Sequence, residues 1–434
     1  FQLNRVDVFG NDSKSNNFFE RHTDYCNGVG FVDIDFPSYD DVFSGEDFSQ
    51  HLSCYDAKIK TNGKRLKTET FVWSNEDVMI VNVEYEDNLP VIVHLRPLRP
   101  LIVKKGDHSA VSSLKKGDHN SISLIQTFKE NDFICQSSLS IQVEGASSIS
   151  RLANETDITL TIQPEKGKSF RIFASTSASF DEKTNVEAEA LQKIQKTVNV
   201  GYDSVLSSHK QWWNSFWEKS FVKLHSKDGV ANKIMENYNY FLYVMASSSR
   251  GAYEPKFNGM LWTTGGDSRK WGNLYWGANQ SCYYNGLFPT NRLELMDPLF
   301  DMYTRMIPSL ERASIQQWGS KGIYIPETVG FDGLPELPDD IAKEMQDLNL
   351  LRKPWNERSQ QFVDFGKTKM PFNSRWNWKQ DQGWKDGIWH FTDKGGGPFG
   401  HVTHIFSRGA KIAYQYWMRY EYTQDEEWLR NRAY

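Results

Sequence analysis

Short apolar runs, many of them rich in β-branched residues, dominate the first 180 residues of the chain. Four examples are Val78–Glu84 (VMIVNVE), Val91–Leu95 (VIVHL), Ile158–Ile162 (ITLTI) and Phe170–Ala174 (FRIFA). Turn residues such as Asn62-Gly63 separate the runs, and Asn-Gly between apolar segments is a strong hairpin signal. Many short strands without intervening helices favour two packed sheets. We therefore predict an N-terminal antiparallel β-sandwich over residues 1–180.

Beyond about residue 180 the apolar residues recur at helical spacing. Glu187–Val198 predicts a polar helix, and we interpret residues 181–202 as a helical linker. Four further helices are predicted at Asp203–Ser220, with Asp203 as its cap, and at Gly229–Arg250, Asn291–Trp318 and His401–Tyr422. Long loops rich in Gly, Pro and Trp separate them, and such loops in a compact domain are usually functional. Helices joined in this way are typical of an (α/α)6 barrel, which we place at residues 203–434.

The predicted helices are too few to close a barrel of six helix pairs. An open barrel would expose a large apolar face, which water-exposed proteins avoid. The chain also begins at Phe1 within a strand-like segment and ends at Tyr434 within a helix-like one. We therefore expect the barrel to be incomplete here, with missing segments or a partner chain completing it.

Composition narrows the possible partners. The net charge is −5 with interspersed signs, and no basic stripe points to nucleic acid. No apolar run approaches the roughly 20 residues that span a bilayer. The four Cys residues lack CxxC spacing, so we predict neither a metal site nor a disulfide framework, and no cofactor. Three Trp residues, Trp262, Trp271 and Trp276, lie within fifteen residues of one predicted loop, and aromatic rings match the apolar faces of sugar rings.

An ordered series of motifs resembles glycoside hydrolase family 95. The matching segments are Gln2–Asn4 (QLN), Ser247–Gly251 (SSSRG) with Pro255, Asn258–Trp262 (NGMLW), Trp271–Gly272 with Tyr275, Asn279 and Tyr284, Leu293–Leu295 with Pro298–Asp301 (PLFD), and Tyr420–Thr423 (YEYT) with Asp425 and Leu429. The resemblance implies an exo-acting, inverting α-L-fucosidase or α-L-galactosidase that acts on oligosaccharides or polysaccharides. It also implies a secreted or periplasmic enzyme, whose signal peptide would precede this sequence.

The resemblance assigns roles to particular positions. In the family, two Asn residues separated by one position hold the attacking water; Gly277 stands at the first of these positions and Asn279 at the second. Ser281 replaces the Gln that follows them. The resemblance therefore implies a catalytic role for Asn279, although a capping role at the helix after Trp276 is an alternative. The general acid and the later Asp of the family would lie beyond Tyr434.

Carboxylates are the side chains that a glycosidase needs for proton transfer. Glu327, in the sequence IPET between two predicted helices, is the best catalytic candidate within the chain. Asp332 follows it in the same loop, which occupies the place of the family's substrate loop. Asp267, in TTGGDS, is a further candidate for sugar contact, with an Asx turn as its alternative role.

Aromatic and His side chains in the loops complete the predicted site. The predicted substrate-binding residues are Trp262, Asp267, Trp271, Trp276, Tyr284, Asp332, Trp389, His401 and His404. His401 and His404 have the HxxH spacing of a metal pair, but no third ligand is evident, so we expect them to bind sugar hydroxyls or core carbonyls. We also expect one common cleft, lined by Trp262, Asp267, Trp276, Asn279, Glu327 and His401.

Two other classes of function remain open from the sequence. A polysaccharide lyase with an (α/α) toroid would need a Tyr or His base, for which Tyr283, Tyr284, His401 and His404 are available. A catalytically inactive carbohydrate-binding protein is the other alternative, favoured by the Gly at position 277. A lyase forms a double bond that absorbs ultraviolet light, whereas a hydrolase does not.

Overall fold

Contacts divide the chain into two compact units. The computed structural model describes residues 1–14, 25, 27–118, 120–256, 274–354, 357–369, 383–385, 388–390 and 407–433. The first unit comprises Phe1–Val8, Asn27–Lys129 and Ile134–Ser247, and the second comprises Phe9–Cys26, Glu130–Phe133 and Ser248–Tyr434. The predicted boundaries near residues 180 and 203 stay a prediction.

The strands of the N-terminal part form two antiparallel sheets. They are β1 (Gln2–Asn4), β2 (Gly28–Asp35), β3 (Ser49–Ser53), β4 (Lys58–Gly63), β5 (Leu66–Val72), β6 (Val78–Tyr85), β7 (Val91–Arg96), β8 (Ile102–Lys105), β9 (His108–Lys116), β10 (Ser121–Glu130), β11 (Phe133–Glu144), β12 (Ser147–Asn154), β13 (Asp157–Gln163) and β14 (Ser169–Ser179). One sheet has the order β1-β2-β7-β13-β12 and the other has the order β3-β4-β5-β6-β14-β11-β10-β9-β8. The predicted N-terminal antiparallel β domain is confirmed.

The two sheets approach each other closely at Gly30 in β2. A Cβ atom at this position would lie 2.9 Å from the side chains of both Leu124 and Leu139, on β10 and β11 of the other sheet. Glycine therefore allows a contact that any larger residue would obstruct. Leu124 and Leu139 are both fully buried, so apolar side chains fill the space between the sheets.

The hairpin near Asn62-Gly63 forms, but its turn lies further along the chain than predicted. Gly63 pairs with Leu66, so the two turn residues are Lys64 and Arg65, and Arg65 has a φ of 61°. Gly63 belongs to β4 instead. A Cβ atom there would lie 2.4 Å from the carbonyl oxygen of Val42, so this Gly is needed for close backbone packing.

Two helices cover the outer face of the nine-stranded sheet. Helix α1 (Val186–Val200) begins after Asn185, whose Oδ1 accepts a 3.0 Å hydrogen bond from the Ala188 N–H. Helix α2 (Tyr202–Glu218) is preceded by Gly201 at the cap position, so the prediction that Asp203 caps this helix is wrong. One apolar cluster joins the helices to the sheet: Phe71, Trp73, Val78, Ile80, Phe173, Ile194 and Val205. Ile194, which lies in the segment predicted as a linker, is thus buried in this cluster.

Helices dominate the rest of the chain. They are α3 (Val230–Ser248), α4 (Gly277–Asn285), α5 (Asp297–Trp318), α6 (Asp339–Asn349), α7 (Gln360–Lys369), α8 (Ser407–Thr423) and α9 (Glu426–Ala433), with a 3-10 turn at Leu293–Met296 and a small hairpin of β15 (Gly383–Lys385) and β16 (Ile388–His390). Helix α5 packs on α6, and α8 packs on both α4 and α9. The six-pair barrel stays a prediction.

The helix predicted from Asn291 begins later. Asn291 has a φ of 56°, in the left-handed region, so it cannot start a right-handed helix. The helix predicted from His401 is described from Ser407, and residues 401–406 lie outside the described residues. Among the described helices, none combines the length and apolarity that crossing a bilayer requires.

Candidate functional site

A small enclosed cavity lies in the second unit, where α4, α5 and α8 meet the segment before Val329. Its polar and charged lining comes from Ser281, Tyr303, Glu327, Arg408, Lys411 and Gln415, and its other walls are Tyr275, Gly277, Ile325, Pro326 and Ile412. The cavity volume is about 10 Å³, enough for one water-sized group. The residues around the cavity thus include both charge signs, while the surface that they present to it is mostly apolar.

Backbone hydrogen bonds hold Glu327 at this cavity. The Tyr275 N–H donates to the Val329 carbonyl at 2.8 Å, and the Val329 N–H donates back to Tyr275 at 3.1 Å. This bridge fixes the IPET segment beside the start of α4. Glu327 is only 4% exposed, so the structure buries the carboxyl group that the sequence identified as the best candidate.

Helix α4 presents Gly277 and Ser281 to the cavity because residues four apart share a helical face. A Cβ atom at Gly277 would have only ordinary contacts, 3.6 Å to Ile412 and 3.7 Å to the Tyr303 hydroxyl. Asn279 lies two positions from each, on the opposite face, and is exposed. The position that holds an Asn in the resembled family therefore faces the cavity, and here it is Gly277.

Asn279 does not cap α4. The residue at the cap position is Trp276, which makes no side-chain cap, and Asn279 is the third residue of the helix, with its N–H donating to the Trp276 carbonyl at 2.9 Å. The alternative that Asn279 caps this helix is wrong because the helix begins at Gly277, three residues earlier than that role requires. Trp276 itself is half-buried and does not line the cavity.

Helix α8 contributes two cations and an amide from one face. Arg408, Lys411 and Gln415 are three and four residues apart, which places them in one row along the helix. Burial lowers the pKa of Arg408, and the nearby charges of Glu327 and Tyr303 oppose this shift. Within the described part of the chain, Nε and Nη1 of Arg408 and both amide atoms of Gln415 are buried and have no hydrogen-bond partner.

A second buried carboxyl group, Glu254, lies in the same unit and was missed by the sequence analysis. It is fully buried, and its Oε2 accepts a 2.7 Å hydrogen bond from the Tyr284 hydroxyl. Burial raises the pKa of Glu254 to about 8, against the lowering effect of that hydrogen bond. The only sequence signal was its place next to Pro255, within the stretch that resembles family 95.

The other described candidates lie away from the cavity lining. Tyr284 is 1% exposed, with its hydroxyl bound to Glu254. Asp332 accepts hydrogen bonds from the Ser13 N–H at 3.1 Å and the Ser13 hydroxyl at 2.7 Å. Burial, together with the charge of Asp12, raises the pKa of Asp332 to about 6. Asp332 therefore holds an early segment of the chain within the second unit.

The remaining predicted site residues lie outside the described residues: Trp262, Asp267, Trp271, His401 and His404. Trp389 lies in β16, but its side chain is outside the described part as well. Three residues of the predicted common cleft are among those described: Trp276, Asn279 and Glu327. Of these three, Glu327 lines the cavity. Across the described ranges, no cluster of three or more His, Cys, Asp or Glu side chains could hold a metal ion.

Comparison with solved structures finds a protein with a similar fold. No protein-family model matches the chain, and no curated protein sequence matches it. A human microbiome protein assigned as a kojibiose phosphorylase is similar in structure, with a TM-score of 0.52 and 12% identity over 77% of this chain and 50% of that chain. The present chain therefore spans about half the length of that protein.

Weaker likenesses involve family GH92. A glycosyl hydrolase of this family has a TM-score of 0.37 at 10% identity, covering 84% of this chain and 54% of its own. An inverting mannosidase of the family from Bacteroides thetaiotaomicron VPI-5482 has a TM-score of 0.36 at 12% identity, covering 54% of this chain and 32% of its own. Membership of family 95 is not shown by these comparisons.

Proposed function

We propose that this chain is part of an enzyme that cleaves glycosidic bonds, with the Glu327 cavity at its sugar-binding site. The observation that supports the proposal best is the burial of Glu327 at a confined cavity that Arg408 and Gln415 also line. Buried carboxyl groups are rare unless a partner or a function retains them. The likeness of the fold to a kojibiose phosphorylase gives this cavity a carbohydrate context.

Glu327 is the residue to which we assign proton transfer. Its charge acts on Arg408, where it opposes the lowering of the Arg408 pKa by burial, and Lys411 lines the same cavity. A carboxylate so placed can accept a proton from an attacking water or from a sugar hydroxyl. The acid that protonates the leaving oxygen is not among the residues that we assign.

The finer specificity rests on the resemblance to family 95. We propose an exo-acting, inverting enzyme for α-L-fucosides or α-L-galactosides, secreted or periplasmic, whose helical domain is an (α/α)6 barrel completed by further segments. The order of the motifs supports this assignment, whereas Gly277, which lines the cavity at a position where the family has a water-holding Asn, is a departure from the family. For Asn279, which lies on the exposed face of α4, we propose a contact with the substrate or the attacking water.

The test compares three proteins on one panel of substrates. Wild type, Glu327→Gln and the control Glu336→Gln are incubated with aryl α-L-fucoside, α-L-galactoside, α-D-mannoside and α-D-glucoside, with and without inorganic phosphate. Glu336 is a suitable control because it is an exposed carboxylate paired with Arg312 at 3.7 Å. We expect Glu327→Gln to lower kcat/KM by about 10²–10⁴-fold, in the range of general acid–base catalysis, with no change in the control.

The products separate the classes of enzyme. Release of a sugar with inverted configuration, followed by NMR, supports hydrolysis, whereas a sugar phosphate formed only with added phosphate indicates phosphorolysis. An ultraviolet-absorbing product from a uronate polymer indicates a lyase. Binding of sugars without any turnover supports the carbohydrate-binding alternative. Full activity of Glu327→Gln would remove Glu327 from the mechanism.

A further inference from the structure

The loop that carries Glu327 (residues 325–334, the Glu327 loop) closes on itself in a tight turn. The Gly330 N–H donates to the Gly333 carbonyl at 3.0 Å, and the Gly333 N–H donates back at 3.3 Å. The two residues inside this turn are Phe331 and Asp332, and both contact residues from the beginning of the chain. The turn is thus a point at which a distant segment holds the loop.

The early segment, residues 9–14, makes one of these contacts through an aromatic ring. Phe9 is fully buried and stacks on Phe331, with ring centroids 4.1 Å apart. Tyr253 packs edge-on against both rings, at 5.4 and 5.6 Å. The Lys256 ammonium group lies 4.4 Å from the centre of the Phe9 ring. Close packing on several sides restricts how the Glu327 loop can move at this point.

Ser13 makes the other contact with two donors. Its N–H donates to Oδ1 of Asp332 at 3.1 Å, and its hydroxyl donates to Oδ2 at 2.7 Å. Asp12 is a charged neighbour that acts on Asp332, and the Arg305 guanidinium lies over the Tyr253 ring at 4.8 Å. Because Ser13 is only 2% exposed and hydrogen bonds to a carboxylate are the stronger ones, this pair attaches the early segment firmly to the turn.

We propose that Ser13 and Asp332 are positioning residues, which hold the Glu327 loop so that the Glu327 carboxyl group keeps the geometry required for proton transfer. The inference rests on the proposed function and adds to it two residues outside the cavity lining. A catalytic group has to be held within about 0.5 Å of its productive position by the residues that support it. The loop backbone transmits the attachment, since Asp332 follows Glu327 by five positions.

Steady-state kinetics on the aryl glycoside that wild type cleaves fastest tests this role. Ser13→Ala removes the hydroxyl and keeps the N–H, whereas Asp332→Asn keeps the shape of the side chain and removes its charge. We expect each variant to lower kcat by about 10- to 100-fold, because a small misplacement of a reacting group has a large effect on rate. KM should change by less than about twofold, since neither residue lines the cavity.

A double variant and a matched control separate positioning from general destabilisation. If the pair acts as one unit, combining Ser13→Ala with Asp332→Asn should lower kcat about as much as one change alone. Ser226→Ala is the control, because the Ser226 hydroxyl also donates to a carboxylate, that of Asp228, but on the exposed surface of the first unit. Its kcat should equal that of wild type. Thermal melting identifies the temperatures at which each variant is folded.

The pH dependence of kcat/KM provides a signature that lost stability alone does not produce. Burial and the charge of Asp12 raise the pKa of Asp332 to about 6, against the lowering effect of the Ser13 hydrogen bonds. Without the Ser13 hydroxyl this pKa rises further, so the acid limb of the profile should move to higher pH in Ser13→Ala. Asp332→Asn should lack the limb near pH 6, and the profile of Ser226→Ala should match that of wild type.

The results separate the positioning role from the proposed function. A lower kcat with unchanged KM and a shifted acid limb supports positioning, and Asp332→Asn, which is isosteric, provides the test if Ser13→Ala fails to fold. A lower kcat without any change in the pH profile indicates lost structure and overturns the role. A raised KM with unchanged kcat in Asp332→Asn indicates the sugar contact predicted from the sequence and also overturns it.

The variant Glu327→Gln is the reference for both proposals. Wild-type kcat in Ser13→Ala and Asp332→Asn, together with lost activity in Glu327→Gln, overturns positioning and leaves the proposed function standing. Full activity of Glu327→Gln, or no turnover of any substrate by wild type, overturns both.

Discussion

Glu254 shows how a single buried carboxyl group shapes the behaviour of the second unit. It has no exposed surface, and its pKa is raised from 4.5 to about 8. The folded state therefore keeps a proton that the unfolded chain releases above pH 4.5. Because the folded state binds more protons between these values, the free energy of unfolding falls as the pH rises from about 4.5 to about 8, by at most about 1.4 kcal/mol per pH unit.

The first prediction concerns Glu254→Gln. The amide keeps an oxygen that accepts the Tyr284 hydrogen bond but cannot ionise. We expect the variant to lose the decline in stability that wild type shows between pH 6.5 and 8, and to become the more stable protein at pH 8. Urea denaturation at several pH values measures this. Asp332, with a pKa of about 6, changes the pH dependence of stability mainly below pH 6.5. Equal slopes of unfolding free energy against pH for the two proteins would contradict the prediction.

The second prediction compares two faces of α4. Ser281 lines the cavity and Asn279 lies on the exposed face opposite, so Ser281→Ala should lower kcat/KM more than Asn279→Ala does. Neither change should reduce stability by more than about 1 kcal/mol, since Asn279 is exposed and Ala favours helices. Steady-state kinetics with melting curves checks this. A fall of two orders of magnitude in kcat for Asn279→Ala would instead support the water-holding role implied by the resemblance.

Sequence reasoning identified some site residues and missed others for physical reasons. Glu327 was found because a carboxylate in a loop between helices has few structural uses. Arg408 and Gln415 were missed because polar residues at helical spacing usually form a solvated face. Glu254 was missed because its distinguishing property is burial, which depends on packing by distant parts of the chain.

At the scale of elements, local sequence signals predicted whether a segment is a strand or a helix better than they predicted the residues at which it begins and ends. The first sheets and helices formed where periodicity placed them, since that periodicity reflects which face is buried. The hairpin turn moved from Asn62-Gly63 to Lys64-Arg65 because the Gly was required by the Val42 carbonyl. A contact of that kind leaves no trace in the local sequence.

The third prediction tests the packing of α1 on the sheet. Ile194 is fully buried against the cluster that contains Phe71 and Phe173. Ile194→Ala should lower the free energy of unfolding by about 2–5 kcal/mol through lost burial and a cavity. Ile149→Ala on β12 is the matched control, because Ile149 is 75% exposed and should cost less than about 1 kcal/mol. Equal effects would mean that α1 is a linker that does not share the core.

At the scale of the whole molecule, each compact unit has buried apolar residues of its own. Units with separate cores commonly unfold in separate steps. As the fourth prediction, scanning calorimetry should resolve two transitions, with Ile194→Ala lowering the midpoint of one and Glu254→Gln at pH 8 raising that of the other. A single transition that responds to both variants would contradict this expectation.

The segment around Phe9 and Ser13 belongs to the second unit although it comes at the beginning of the chain. Phe9 stacks on Phe331 with ring centroids 4.1 Å apart, and Ser13 binds Asp332 across 319 residues of sequence. At a synthesis rate of about 5–20 residues per second, a ribosome needs roughly 15–65 s to deliver the partner of Ser13. The early segment must wait unpaired through that interval, during which the whole first unit emerges. A fragment that starts at residue 248 would lack Phe9 and Ser13, so adding back residues 9–26 as a separate peptide is the direct way to restore them.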